Sequence, residues 1–271
     1  MEELLKFKHK LLDFSGKFNY WASQYDSTDQ HCEELEKLIN EYTAFIIDES
    51  NREKWFLLQV EDINEELLTE LQQISARCVA IMEKYRALQL LGGQSNITDY
   101  FKNIESCIEE EFGNFQVKPT SKVLLVGSGA FPMTPLLIAK KTGAEVIGID
   151  IDDEAIELGG EVLRILGDGL NVRVQNSQLD QLECLKDITH VIFSSTVKEK
   201  YDLLDQLYNL TRDEITIAMR YGNDLKSLFN YPLKEVNSEK WMLVEQVLRP
   251  NQVFDIALYQ KQRKGEAVEV V

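Results

Sequence analysis

The feature that most constrains this chain is the run Lys122-Val-Leu-Leu-Val126, broken at Gly127-Ser-Gly129 and followed by a helix-compatible segment. A second apolar run then ends in a carboxylate, Val146-Ile-Gly-Ile-Asp150. Short apolar runs of this length, separated by a helix-length stretch, predict a strand, a turn, a crossover helix and a parallel strand. A parallel sheet built this way gathers its loops at the carboxyl ends of the strands. A glycine turn and an acid at that edge form a nucleoside-binding arrangement.

The pattern continues downstream and differs upstream. Strand-like runs recur at 122–126, 145–149, 172–174, 189–193 and 215–219, separated mostly by helix-like segments. This alternation predicts βαβ units with helices on both faces. Trp241–Val247 and Val253–Tyr259 have no room for a helix between them, and Pro250-Asn251 supplies a turn, so they are expected to pair antiparallel. Five crossover-linked strands closed by such a hairpin resemble the class I S-adenosylmethionine (SAM) methyltransferase sheet. The fold class expected is therefore α/β, Rossmann-like, preceded by an all-α region. Upstream there is no proline before Pro119, and Leu35, Leu38, Tyr42 and Ile46 recur at helical spacing, as do Ile97, Phe101, Ile104, Ile108 and Phe112. The expected division is a helical substrate lid at 1–117 and a SAM-binding domain at 118–271.

The glycine loop itself narrows the ligand. Two glycines allow a tight turn and close backbone approach. The third glycine of a dinucleotide fingerprint is missing, and Phe131-Pro132 and Thr134-Pro135 stand in its place. Proline suits the first turn of a helix but removes N–H donors that a pyrophosphate would use. SAM carries a sulfonium and an amino-acid moiety instead, so it is the expected co-substrate. Gly127, Ser128, Gly129, Phe131 and Pro132 are its expected loop contacts. Asp150 is expected to accept both ribose hydroxyls, with Ile151 beside it and Asp152 capping the next helix. Asn176 and Ser177 end the third strand at the adenine edge. Ser194, Ser195 and Thr196 end the fourth strand beside the reacting centre.

Charge and composition remove other classes. Asp and Glu number 46 against 29 for Lys and Arg, a formal charge of −17, which repels nucleic acid and anionic membranes. The fourth strand lacks the Asp/Asn-Pro-Pro-aromatic tetrad of nucleic-acid amino methylases. Cysteines at 32, 78, 107 and 184 form no C-x-x-C pair, three histidines are scattered, and no metal site is expected. The start MEELLKFKHK has no apolar signal core, and a cytoplasmic protein is expected.

Two blocks carry a family resemblance. Val126-Gly-Ser-Gly-Ala-Phe-Pro-Met-Thr-Pro135 is similar to the Gly-Ser-Gly-Pro-Leu-Pro-x-Thr signature of nicotianamine synthases, with Ala130-Phe131 in place of Pro-Leu. Ser195-Thr-Val-Lys-Glu-Lys-Tyr201, followed by Met219-Arg-Tyr-Gly through Phe229-Asn-Tyr-Pro232, resembles that family's second block. The resemblance covers about 95–260. It implies transfer of the 3-amino-3-carboxypropyl (aminobutanoyl) chain of SAM to an amine, with release of methylthioadenosine. Short bacterial members make opine metallophores, which implies histidine as acceptor, in its D form, and a downstream opine dehydrogenase as functional partner. A second copy of the chain is the other expected partner.

A protonated amine needs a base. On the helix beginning at Asp99, Glu105 is expected as that base, with Glu109 and Glu110 as alternatives and Tyr100 at the aromatic start of the helix. Arg220, at the end of the fifth strand, is expected to fork onto the carboxylate of the substrate or of SAM, with Tyr221 following it on the substrate side and Tyr231 closing the pocket. Two other readings stand beside this one: a small-molecule methyltransferase on the same fold, and a non-catalytic SAM-binding scaffold.

Overall fold

The computed structural model describes residues 2–60, 65–94 and 116–262. Tyr100, Glu105 and Glu109 therefore lie outside the described residues.

The helical half comprises α1 (Glu2–Ser23), α2 (Cys32–Ile47), α3 (Glu49–Val60) and α4 (Glu65–Leu91). In α1 the residues Phe7, Leu11, Phe14 and Phe18 recur every three to four positions and are buried. In α2 Leu35, Leu38, Tyr42 and Ile46 do the same. The aromatic rings interlock, with Phe14 and Phe18 set edge-on to Tyr42 at 4.8 and 5.0 Å between centroids. Leu225, Leu228 and Phe229, from the segment after the fifth strand, join this same core. The buried Tyr42 Oη donates to the Leu228 carbonyl at 2.7 Å, and Gln72 Nε2 donates to the Ser227 carbonyl at 2.6 Å. The two halves thus share a hydrophobic core and buried hydrogen bonds.

The second half is a seven-stranded sheet ordered β3-β2-β1-β4-β5-β7-β6. Its strands are β1 (Lys122–Val126), β2 (Glu145–Asp150), β3 (Val172–Asn176), β4 (His190–Phe193), β5 (Thr216–Tyr221), β6 (Trp241–Val247) and β7 (Asp255–Lys261). The first five are parallel, and β7 inserts antiparallel between β5 and β6. Helices α5 (Met133–Thr142), α6 (Asp153–Leu166) and α7 (Lys200–Leu210) follow β1, β2 and β4. Side chains of β1 alternate between two cores: Leu124 and Val126 on one face, Val123 and Leu125 on the other. Strand order reverses between β1 and β4, which opens a crevice at their carboxyl ends. No helix among the described residues is long and apolar enough to cross a membrane.

The punctuation agrees with the residue chemistry. Pro132 sits at the N-cap of α5 and Pro135 within its first turn, while Gly143 ends the helix at φ 72°. Asp152 caps α6 by accepting from the Glu154 and Ala155 amides at 3.0 and 3.2 Å.

Candidate active site

A cavity of about 1340 Å³ lies between α2 and α4 and the carboxyl edge of the sheet. Its floor is the loop after β1. The Gly127 and Ser128 amides both donate to the Ile149 carbonyl, at 2.9 and 3.0 Å, so the loop folds back onto the end of β2. Gly127 and Gly129 have φ of 81° and 66°, values that disfavour any side chain. Space forbids one as well. A Cβ on Gly127 would stand 2.7 Å from Val197 Cγ2, and one on Gly129 would fall onto the Glu83 carboxylate. The loop is a backbone cradle held between the β4 loop and helix α4.

Asp150 holds this cradle from below. Its Oδ2 accepts from the Gly129 amide at 2.9 Å, and Oδ1 accepts from the Ile151 and Asp152 amides at 2.8 and 3.1 Å. A carboxylate has about four acceptor positions. Three backbone donors occupy most of these positions, so Asp150 shapes the loop as well as facing the cavity. Ile151, 83% exposed, stands at the cavity rim.

Phe131, Ser177, Ser194, Ser195 and Thr196 all face the cavity, as does Arg220. The Arg220 guanidinium lies 5.0 Å from the Phe254 ring centroid, and its Nη2 donates to Thr134 Oγ1 at 3.3 Å. Four expected residues fall outside the wall. Pro132 caps α5. Asn176 is exposed and donates to Asp153, so its amide fastens β3 to α6 instead of meeting a base. Tyr221, 1% exposed, is packed in the core beneath the sheet, because alternation along β5 turns it away once Arg220 faces the cavity. Tyr231 contributes its backbone, accepting from Gly222 N and donating to the Ser195 carbonyl.

The sequence reading missed Glu83. It lies on α4 among Ala76, Val79, Ala80 and Arg86, which form the cavity stripe of that helix. Burial pushes its carboxyl up to about 8, the nearby Asp150 charge adds to the rise, and Arg86 and the Ala130 amide oppose it. A signal existed. Leu71, Cys78 and Tyr85 already give α4 one buried stripe, so the second apolar stripe, with an acid inside it, must face something else.

Next to Glu83, Lys84 reaches the sheet domain. Its Nζ stands 2.6 Å from Asp152 and 2.6 Å from Glu154. Glu154 also accepts from Tyr25 Oη at 2.7 Å and Ser27 Oγ at 2.9 Å. The α1–α2 turn, α4 and the start of α6 are tied together beside Asp150.

The arrangement joins a glycine-backbone cradle, a carboxyl group of raised proton affinity and a guanidinium around one cavity. That combination suits proton removal from a nucleophile and presentation of a zwitterionic substrate.

No family model matches the chain. Among curated proteins it is similar to L-histidine 2-aminobutanoyltransferase of Yersinia pestis, 32% identical over 210 residues, 76% of this chain and 78% of that protein. The protein of that name from Pseudomonas aeruginosa (strain UCBPP-PA14) is 27% identical over 230 residues, 84% of this chain and 86% of that one. Among solved structures, MtNAS in complex with MTA and tNA superposes with a TM-score of 0.75 at 15% identity, covering 95% of this chain and 98% of that one. This last likeness concerns the fold, and it extends through the helical half as well as the sheet. The identity to the Yersinia pestis protein, over most of both chains, decides the family: the chain belongs to the nicotianamine synthase-like aminobutanoyltransferases, enzymes that use SAM as the alkyl donor.

Proposed function

We propose that the chain transfers the aminobutanoyl group of SAM to the α-amine of histidine, in the D form, and releases methylthioadenosine. The observation that carries this reading is Glu83, an acid of raised pKa seated against the glycine cradle and facing the same cavity as Arg220. SAM supplies a carbon already activated by its sulfonium. The amine nitrogen forms a bond to Cγ of the methionine-derived chain, the C–S bond breaks, and its electron pair stays on sulfur in a neutral thioether. The amine loses a proton, and Glu83 is the group assigned to take it. Gly127, Ser128, Gly129 and Asp150 are assigned to the nucleoside, Ser177 to the adenine edge, and Arg220 to the acceptor carboxylate. The walls exclude water and hold the nitrogen in line.

Histidine as acceptor is supported by the names of the relatives. The D form follows from the resemblance to short bacterial members that make staphylopine-type metallophores. L-histidine is the second reading, favoured by those same names. On the metallophore reading the product passes to an opine dehydrogenase, the chain works in the cytoplasm, and a homodimer is the assembly expected. The helical half, 1–117, is assigned the role of substrate lid over the sheet domain, 118–271.

The test is incubation with SAM and D- or L-histidine in parallel, with methylthioadenosine and the coupled product followed by mass spectrometry. Release of S-adenosylhomocysteine would mean methyl transfer and end this reading. Glu83→Gln, Glu105→Gln and Glu109→Gln, each checked for SAM binding, identify the base. Loss confined to either of the last two would move the role from Glu83.

A further inference from the structure

Lys200 opens helix α7 and is wholly buried, at 0% exposure. Its ammonium faces carbonyl oxygens from three segments: Arg220 at 2.8 Å, Tyr231 at 3.1 Å and Ser195 at 3.5 Å. An ammonium has three N–H donors, so the set is matched in number. The same segments are also bonded to one another, Gly222 N to the Tyr231 carbonyl at 3.2 Å and Tyr231 N to the Ser195 carbonyl at 3.3 Å. Lys200 is the node at which the β4 loop, the end of β5 and the segment before Pro232 meet. Two of those segments, through Ser195 and Arg220, form the cavity wall.

The chemistry of this node is unusual for a structural lysine. The ionisable groups around it are Glu199 at the helix N-cap, Tyr201 on its own helix, and Tyr231 and Lys234 on the closing segment. A tyrosine ring lies beneath it, with Lys200 Nζ 5.9 Å and Lys234 Nζ 5.7 Å from the Tyr201 centroid. Carbonyl dipoles, rather than a bonded carboxylate, hold the charge. A buried charge held in this way is costly to retain. An amide or hydroxyl could bridge two carbonyls without that cost, whereas three converging carbonyls require a third donor.

We propose that Lys200 is a positioning residue for the acceptor half of the site, its ammonium fixing above all the backbone of Arg220, so that acceptor affinity depends on its charge far more steeply than SAM affinity does. This rests on Arg220 being the acceptor's carboxylate anchor, as assigned above. Loss of the proton leaves one carbonyl facing a lone pair and releases the node. Burial, reinforced by the Lys234 charge, lowers the Lys200 ammonium to about 7, which brings that event into the working range.

The experiment measures the KM for histidine and the Kd for SAM separately, from pH 6 to 9, in the parent, Lys200→Met and Lys234→Gln. Lys200→Met is expected to raise the histidine KM about tenfold while SAM Kd stays within about twofold, a split that general loosening would not give. Lys234→Gln lies on the outer side of the node. It removes a charge that opposes protonation of Lys200, so the alkaline rise in histidine KM should move to higher pH. The acceptor's own titration is common to parent and variant, so the displacement belongs to Lys200. This second variant tests the idea even if Lys200→Met does not fold. Unchanged histidine KM in Lys200→Met, a parallel rise in both constants, or an alkaline limb identical in Lys234→Gln and the parent would each overturn it. Absence of methylthioadenosine release with either histidine would instead defeat the assigned function, a different and distinguishable result.

Discussion

Replacing Glu83 by Gln separates two consequences of one partly buried acid in the cavity wall. The side chain ionises at about 8 in the folded chain against an ordinary value of 4.5. Because the folded value is raised, the folded state holds this proton more tightly than the unfolded one. The stability so gained is complete below about pH 4.5 and is lost as pH rises toward 8. Relative to a permanently neutral amide, the linkage costs the parent about 1 kcal/mol at pH 5 and about 3 kcal/mol at pH 7. Gln copies the neutral form, so the variant should be the more stable protein, by a margin that widens with pH. For a chain of this size about 3 kcal/mol corresponds to roughly 6 to 12 °C in Tm. Turnover should move the other way. Loss of a general base costs on the order of 10² to 10⁴ in rate. The parent's rate should also rise about tenfold between pH 7 and 9, since about a tenth of Glu83 is ionised at pH 7. Thermal unfolding without ligand across pH 5–9, paired with methylthioadenosine release, measures both effects. A Tm difference that does not change with pH, or a kcat within a few-fold of the parent, would refute the reasoning.

Three further perturbations probe the site's construction. Gly129→Ala adds a Cβ at φ 66° onto the Glu83 carboxylate, so activity should fall more than about a hundredfold; adding Glu83→Ala should restore part of the lost stability and none of the turnover, read as a double-mutant cycle. Lys84→Met leaves Asp152 and Glu154 without their ammonium at a partly buried junction and should cost about 2 kcal/mol by urea unfolding. Both carboxyls are held below their ordinary values, so the parent should lose that increment as pH falls below about 4 and the variant should have less to lose. Arg220→Lys removes the guanidinium that lies over Phe254 and its capacity to fork onto a carboxylate, and should raise the histidine KM about tenfold or more with SAM Kd unchanged, measured by steady-state kinetics and calorimetry.

What the chain alone disclosed follows from where its constraints are local. The parallel strands, the antiparallel closing pair, the Asp152 cap and the proline-led helix after the glycine loop each rest on a few consecutive residues. Periodicity and turn chemistry therefore expose them. That the loops after β1, β2, β3 and β4 line one cavity was legible for the same reason, since these strand ends share one edge. Its errors were errors of facing. Tyr221 follows Arg220 by one position on a strand, and a period of two puts only one of them in the cavity. Asn176 ends its strand as expected, but the nearest acceptor is Asp153 across the αβ junction, and a local bond took the amide before any ligand could.

The acceptor side was hidden because its parts meet only in three dimensions. Glu83 is one of 46 acids, and only the stripe of Ala76, Val79 and Ala80 on its face of α4 hints at its place. It becomes distinct only when α4, buried along one stripe by α1 and α2, presents its other stripe to Gly129. The pairing then explains both partners. Gly129 must lack a side chain for the loop to turn and for the acid to be seated, and the acid acquires its raised pKa because the loop and Asp150 enclose it. Lys84, one position along, ties the same helix to the residues that follow Asp150. A single turn of α4 thus carries both the group assigned to take the proton and the ion pairs that hold it in place. The glycine cradle by itself is common to many nucleoside-binding folds; the acid set directly upon it by a separate helical half is what directs this site toward an amine nucleophile.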